Sequence, residues 1–581
     1  MTTFVRDLPF GATLLENNRT RFRLWAPQQA QVSVEINERE RIPMQPREGG
    51  WFEAAAACGA GATYRYVLDS GLRVPDPAAR AQVHDVHDAS VVIDPCAYRW
   101  RNSDWRGRPW SGAILYELHA GLLGGFGGVT CELDRLTELG VTAIELMPIN
   151  DFPGKRNWGY DGVLPFAPDR AYGSPDELKA LIDAAHDHNL MVFLDVVYNH
   201  FGPDGNYLAR YAPQFFRRDI ATPWGPAIDF RRAEVRQFFT ENALYWLMEY
   251  RFDGLRFDAV QAITEPDWLD EMAAKVRATV EQGRHVHLVL EHDGNVAEHL
   301  RRDFDAQWND DGHHALHVLL TGENEGYYGD YADKPAARLA RALAEGFVYQ
   351  GEPSPHRNGA PRGTPSADLP PTAFVLFLQN HDQIGNRAFG DRLTAHTRAE
   401  ALEAAIALQF LCPQIPLLFM GEENACETPF QFFTDHHGEL AEAVREGRRN
   451  EFGGFAAFSH PERREQIPDP NTFETFSNSR PRPGPNCHSR RALYHDLIAL
   501  RAEHLVPRLK GTRAISAEAI GPLAVLARWR LGDGATWTLA SNLGAQRCSL
   551  TRPEGQAIFG VPRAGYLDAH STLCFLESSH G

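Results

Sequence analysis

The chain has 581 residues, 43% of them hydrophobic and 11% aromatic, which is enough for two or three domains with sizeable cores. A formal charge of −18 argues against nucleic acid or an anionic membrane as the main partner, because both attract basic surfaces. No window approaches a transmembrane run, no leader is expected at the start, and the eight scattered cysteines contain no C-x-x-C pair, so reduced thiols in a cytoplasmic protein are expected.

Residues 1–95 carry short alternating segments, such as Arg21-Phe-Arg-Leu-Trp25 and Ala62-Thr-Tyr-Arg-Tyr-Val-Leu68, punctuated by Gly, Pro and Asn. This texture predicts a small β-sandwich. A polar stretch, 96–112, reads as a linker. From 113 to 505, apolar runs alternate with helical patterns, the mark of βα units. Eight strands are predicted there, at 114–118, 143–147, 191–194, 254–257, 286–290, 305–308, 373–377 and 415–419. Between them, Ser174-Pro-Asp-Glu177 is a capping box with proline at the first helical position, and a second helix is predicted over 234–248. Eight strands with intervening helices is the count of a (β/α)₈ barrel. Residues 506–581 return to short strands and predict a small C-terminal β-domain. The Pro-rich stretches 351–371 and 468–485 read as loops.

Four strings in this barrel region end apolar runs in a carboxylate or imidazole. They are Asp195-Val-Val-Tyr-Asn-His200, Gly254-Leu-Arg-Phe-Asp258, Leu288-Val-Leu-Glu291 and Phe377-Leu-Gln-Asn-His-Asp382. Charges at the C-terminal ends of parallel barrel strands lie where such folds keep their chemistry. A retaining glycosidase needs a carboxylate nucleophile and a protonated carboxyl about 5–5.5 Å apart. Asp258 and Glu291 end the fourth and fifth strands, and neighbouring strands lie about 4.8 Å apart, so that separation is reachable. Arg256, two residues before Asp258 and on the same face, is expected to hold Asp258 ionised as a nucleophile. Partial burial of Glu291 at the end of an apolar strand would raise its pKa for proton donation. Asp382 is expected to stabilise the oxocarbenium-like transition state, and His200 and His381 to bind hydroxyls of the cleaved sugar.

In order, the four strings resemble the motifs of the α-amylase clan, glycoside hydrolase family 13. More narrowly, the chain resembles the malto-oligosyltrehalose trehalohydrolase family through Asn157-Trp-Gly-Tyr-Asp161, Asp195 to Gly205, Trp308-Asn-Asp-Asp-Gly-His-His314, Gln379 to Asn386 and Leu418-Phe-Met-Gly-Glu-Glu423. The resemblance covers nearly the whole chain, and the sandwich before the barrel is carbohydrate-binding-like. It implies hydrolysis of the α-1,4 bond next to the terminal trehalose of a maltooligosyl trehalose, with no cofactor and with a separate maltooligosyl trehalose synthase as the supplier of substrate. It also implies that Tyr160 forms a stacking platform and that Asp195 orders the site. Asp310, Asp311, His313, His314 and Gln383 are implied on the leaving-group side, where Gln261 replaces the Lys or His that many clan members carry, and Asn380 is implied to bind substrate.

Each residue has a blander reading. A single carboxylate at a strand end is usually a solvated loop group or a helix cap, and Arg256 could be a structural ion-pair partner. The Asp310-Asp-Gly-His-His314 run does not fit the usual zinc spacings, so loop hydrogen bonding competes with sugar binding there and no metal is expected. Asn199, a calcium ligand in some amylases, is read as a loop-structuring residue. Trp224 is read either as a sugar platform or as a buried loop anchor. The alternatives are a debranching or branching enzyme of the same clan and a non-catalytic α-glucan-binding relative.

Overall fold

The computed structural model describes residues 2–454, 457 and 460–578. Its centre is a closed barrel of eight parallel strands: β1 (Leu115–Leu118), β2 (Ala143–Leu146), β3 (Met191–Val196), β4 (Gly254–Phe257), β5 (His287–Leu290), β6 (Ala306–Trp308), β7 (Phe374–Phe377) and β8 (Ile415–Phe419). Each predicted boundary falls within two residues of the observed one. These runs form strands because both faces are covered. Every residue of β1, β2, β4 and β5 is buried, which calls for apolar side chains on either side of the pleat.

Period two then sorts the interior into layers. The lower layer is apolar, with Leu115, Ala143, Phe193, Val289, Ala306, Val375, Ile415 and Leu417 in one cluster. Gly254 belongs to this layer for want of space, since a Cβ there would lie 2.1 Å from a ring carbon of Phe193. Two residues further along the inward faces stand Glu117, Glu145, Asp195 and Arg256, all buried. A charged layer thus sits on an apolar plug, at the end of the barrel where the strands finish.

Helix α1 (Pro175–Asp187) starts as its sequence prescribes. Ser174 Oγ accepts from the Glu177 N–H at 3.2 Å, and Glu177 Oε2 accepts from the Ser174 N–H at 2.7 Å. Helix α2 (Ala233–Met248) packs its aromatic face inward. After β6 comes α3 (Asp310–Thr321), capped by Asn309, whose Oδ1 accepts from Gly312 N at 3.1 Å.

Before the barrel, one sheet (Gly11–Leu15, Arg19–Trp25, Trp51–Ala56, Gln45–Arg47) faces a second (Glu40–Pro43, Ser33–Ile36, Thr63–Val67, Arg73–Val74, with Ser90–Val91 beside the third). The polar stretch after it runs pinned along the barrel. Asp183 of α1 accepts from Tyr98 Oη and from the backbone N–H groups of Arg101 and Asn102, and Asp253 accepts from Trp105 Nε1 at 2.8 Å. After the barrel, Arg513–Gly521, Ala524–Arg530, Thr536–Asn542, Ser571–Glu577 and Gln556–Phe559 form an antiparallel sheet. It docks through Trp537, whose Nε1 donates to Leu411 O at 2.7 Å. Among the described residues, no helix is long and apolar enough to cross a membrane.

Candidate active site

Arg256, buried on β4, organises the site. Its Nη1 donates to Asp195 Oδ2 on β3 at 2.6 Å and to Asp258 Oδ1 at 2.9 Å, and its Nη2 lies 2.8 Å from Glu291 Oε2 without hydrogen-bond geometry. The ring of Trp308 covers the guanidinium from below at 4.2 Å. One cation therefore touches three carboxylates from three adjacent strands, as the parallel register of β3, β4 and β5 dictates. Glu291 Oε2 also accepts from the Ala259 N–H at 2.8 Å. Ala259 reaches that position through a left-handed backbone, φ 39° and ψ 48°, which nothing in its sequence context announces.

The sequence predicts that Arg256 holds Asp258 ionised; burial raises Asp258 to about 6 and Arg256 moderates the rise, so the carboxylate form still prevails at neutral pH. Burial likewise raises Glu291 to about 7 against the pull of Arg256. A second pair lies beside the first. Glu117 on β1 accepts from the His381 N–H at 3.0 Å and pairs with His381 Nδ1. Burial alone would lower His381, but Glu117 and Asp382 hold it up at about 9, so the ring is an imidazolium at neutral pH.

Tyr160 donates to Asp195 Oδ2 at 2.6 Å and stacks on His381 with ring centroids 5.0 Å apart. Asp382 stands at the mouth, with its Oδ1 3.4 Å from His381 Nε2. His200 is buried, which lowers its pKa to about 4, and both ring nitrogens face loop oxygens, Tyr160 O and Asn199 Oδ1, each at 3.0 Å. His200 therefore enters the site as a neutral wall, and Asn199 structures its loop. Trp224 is no buried anchor. It is 47% exposed and stacks over His200 at 5.0 Å.

The 308–314 string divides. Asp310 faces the cleft, where burial and then the Glu291 charge push its carboxyl well above the usual range. Asp311 turns away. Its carboxylate accepts from Asn295 Nδ2, Val348 N and Tyr349 N, pairs with Arg362, and is fully buried. His313 is buried against Phe377, and His314 packs among Tyr327, Tyr328 and Tyr331. Asp311 and His313 are thus buried in protein contacts, unlike Asp310, because a helix turns successive residues by about 100°. Asn380 caps the short helix His381–Gly385, with Oδ1 accepting from Gln383 N at 2.8 Å. Gln261 is exposed, and its Oε1 accepts from Asp293 N at 3.4 Å.

Beside Asp382 opens a cavity of about 400 Å³ that the sequence did not suggest. Tyr327, Tyr328, Gln383 and Asn386 line it, together with Arg387, which grips Glu323 in a two-pronged pair at 2.8 Å. Its volume lies within the usual range of ligand sites, and aromatic faces beside charged hydrogen-bonding groups suit a sugar. Asn386 joins it to the chemistry by donating to Asp382 Oδ1 at 3.2 Å. Gln383 and Asn386 belong to the 379–386 string, whereas Glu323, Tyr327 and Tyr328 come from a distant segment that no motif marks, so the sequence announced only one wall of the cavity.

Family models match the chain as alpha amylase, catalytic domain, over residues 97–224, as carbohydrate-binding module 48 (isoamylase N-terminal domain) over 9–97, and as a domain of unknown function, DUF3459, over 512–574. The curated malto-oligosyltrehalose trehalohydrolase of Deinococcus radiodurans is 43% identical over 513 residues, covering 85% of this chain and 83% of that one. Its namesake from Saccharolobus solfataricus is 40% identical over 489 residues, covering 81% and 83%. A crystal structure of a Salmonella typhimurium protein, provisionally described as an alpha amylase, superposes with a TM-score of 0.93 at 43% identity over 99% of this chain and 100% of that one. A Paenibacillus barengoltzii pullulanase, TM-score 0.72 at 20% identity over 99% of this chain and 96% of that one, shares the fold.

Proposed function

Since the chain belongs to the malto-oligosyltrehalose trehalohydrolase family of α-amylase-type glycoside hydrolases, we infer that it hydrolyses the α-1,4 bond next to the terminal trehalose unit of a maltooligosyl trehalose, releasing trehalose and a maltooligosaccharide. The observation that carries the reading is the contact of Arg256 with Asp195, Asp258 and Glu291 at the ends of successive strands.

In this reading Asp258 attacks the anomeric carbon and forms a covalent glycosyl-enzyme, while Glu291 gives its proton to the departing oxygen. Glu291, now anionic, then takes a proton from water, the water attacks the anomeric carbon, and Asp258 leaves as a carboxylate. Two inversions give net retention. Asp382 and the His381 imidazolium grip hydroxyls of the distorted sugar, and Tyr160 supplies a stacking face. The departing trehalose lies in the cavity beside Asp382, where Gln383, Asn386 and Arg387 offer donors and Tyr327 a ring. Asp310, on the cleft side of α3, borders the same path.

Substrate with an α,α-1,1-linked end has to come from an enzyme that isomerises the terminal α-1,4 bond, so a separate synthase is proposed upstream. The eight free cysteines suit a reducing compartment, for which we propose the cytoplasm. The proposed domain division is a sandwich over 1–95, a linker over 96–112, the catalytic barrel over 113–505 and a C-terminal β-domain over 506–581.

The test is parallel incubation with maltooligosyl trehalose, maltopentaose and glycogen, with NMR of the fresh products. Rapid release of trehalose, and of the maltooligosaccharide first as its α-anomer, is expected. Equal cutting of all three substrates, or initial β-anomer, would overturn the substrate or the double displacement respectively.

A further inference from the structure

Glu145, inside the barrel on β2, has no part in the reaction as drawn, and its surroundings are unusual. It is 1% exposed, and among the described residues neither carboxyl oxygen has a hydrogen-bond partner. A carboxylate cannot stay there ionised without large cost, because it would face low-dielectric surroundings with no donor. On the next strand, in the same charged layer, Asp195 Oδ1 is buried and likewise has no partner among the described residues, while its Oδ2 serves Arg256 and Tyr160. Register puts Glu145 opposite Glu117 on β1 and opposite Phe193 on β3, so Asp195 is the next inward-facing residue along β3. The two groups fit each other only when Glu145 carries a proton, since a carboxylic acid supplies the donor that Asp195 Oδ1 lacks.

We propose that Glu145 is a neutral positioning residue whose O–H serves Asp195, and which through Asp195 fixes Tyr160 and Arg256 behind the nucleophile. The charged groups facing it are Glu117 on β1, Asp195 on β3, Arg256 on β4 and His381 after β7. Burial, then the charges of Glu117 and Asp195, push its carboxyl well above the usual range, and Arg256 and His381 offset only part of that push. Glu117 is already engaged by the backbone N–H and ring of His381, which leaves Asp195 as the acceptor in need. An ionised Glu145 would instead add a further anion beside Glu117 and Asp195, against two cations, Arg256 and His381, that Asp258 and Asp382 already share.

The inference rests on the proposed ordering role of Asp195, and its first test needs no substrate. Infrared difference spectra of wild type minus Glu145→Gln at neutral pH should contain a protonated-carboxyl stretch. Absence of that band overturns the proposal whatever the enzyme cleaves. Kinetics supply the second test. Glu145→Gln keeps a donor and should lower kcat less than about threefold, whereas Glu145→Met should lower it more than about tenfold with KM little changed. The acid limb of the Glu145→Met profile should move to higher pH, because Asp195 without its donor protonates more readily and releases Arg256. A Gln variant as impaired as the Met variant, or a Met variant with wild-type kcat and acid limb, would refute the positioning role. Should Glu145→Met fail to fold, the infrared band and the Gln variant still decide.

Discussion

At the scale of single residues, the catalytic pair presents an apparent conflict, since Asp258 and Glu291 share one arginine and both rise above their ordinary pKa. Desolvation outweighs a single guanidinium divided among three carboxylates. The two values, about 6 and about 7, leave a narrow window in which the nucleophile is ionised while the acid keeps its proton. The sign follows directly. Activity should rise with pH as Asp258 loses its proton near 6 and fall as Glu291 loses its own near 7, giving a bell in kcat/KM of the free enzyme. The pair is close enough for the two limbs to belong to it jointly. Glu291→Gln should abolish the alkaline limb along with most of the turnover, and a profile that is flat from pH 5 to 9 in wild type would contradict the assignment. Ala259 yields a separate prediction. A left-handed conformation costs a residue with a Cβ about 1–2 kcal/mol, and glycine escapes that cost but loses more chain entropy on folding. Ala259→Gly should therefore shift stability by less than about 1 kcal/mol, while Ala259→Val, branched at Cβ, should destabilise by more than that. Urea unfolding of both variants would check the order.

At the scale of elements, the barrel was legible in the sequence because parallel strands buried on both faces require unbroken apolar runs, and few other structures do. The charged layer was legible only in part. Asp195, Asp258 and Glu291 stand at run ends and catch the eye, whereas Glu117 and Glu145 lie within their strands. The helix after β6 explains the principal misplacement. Read as an extended rim, residues 310–314 would all line the sugar; wound as α3 from its Asn309 cap, they fan around an axis. Asp310 then faces Glu291, and Asp311 meets Val348, Tyr349 and Arg362. The consequence is a pair of opposite phenotypes. Asp311→Ala leaves two backbone N–H groups and a buried guanidinium without their carboxylate, and should cost about 3–5 kcal/mol of stability. Gln383→Ala, at the cavity, should leave stability nearly unchanged and reduce the preference for trehalose-ended over plain oligosaccharide in kcat/KM. Reversed outcomes, a stable Asp311 variant with lost preference, would return Asp311 to the substrate.

At the scale of the whole molecule, the active-site end of the barrel depends on how the sandwich is held against its side. The apolar part of that contact is visible in the sequence only as aromatic residues on both partners, such as Phe10, which packs on Phe238 of α2 at 5.4 Å. The polar part could not be read, because its members come from segments far apart in the chain. Glu249, just beyond α2 and 1% exposed, accepts from the Arg6 N–H at 3.0 Å, lies 3.8 Å from Arg80 of the sandwich side, and accepts from Lys179 of α1 at 3.5 Å. Both cations are themselves buried. Removing the Glu249 charge strands two desolvated cations, which costs more than the ion pairs contribute net, because neither can recover its water without opening the interface. Glu249→Gln should thus lower unfolding free energy by about 3–5 kcal/mol, with the amide retaining only the neutral part of the hydrogen bonding. Because α1 also carries Asp183, which fixes residues 98–102 along the barrel, the loss should spread through the sandwich, the connecting segment and the barrel together. A single denaturant transition moved to lower concentration is the expected result. Separate early unfolding of the sandwich, or a shift below about 1 kcal/mol, would mean that the apolar contact alone holds the two together.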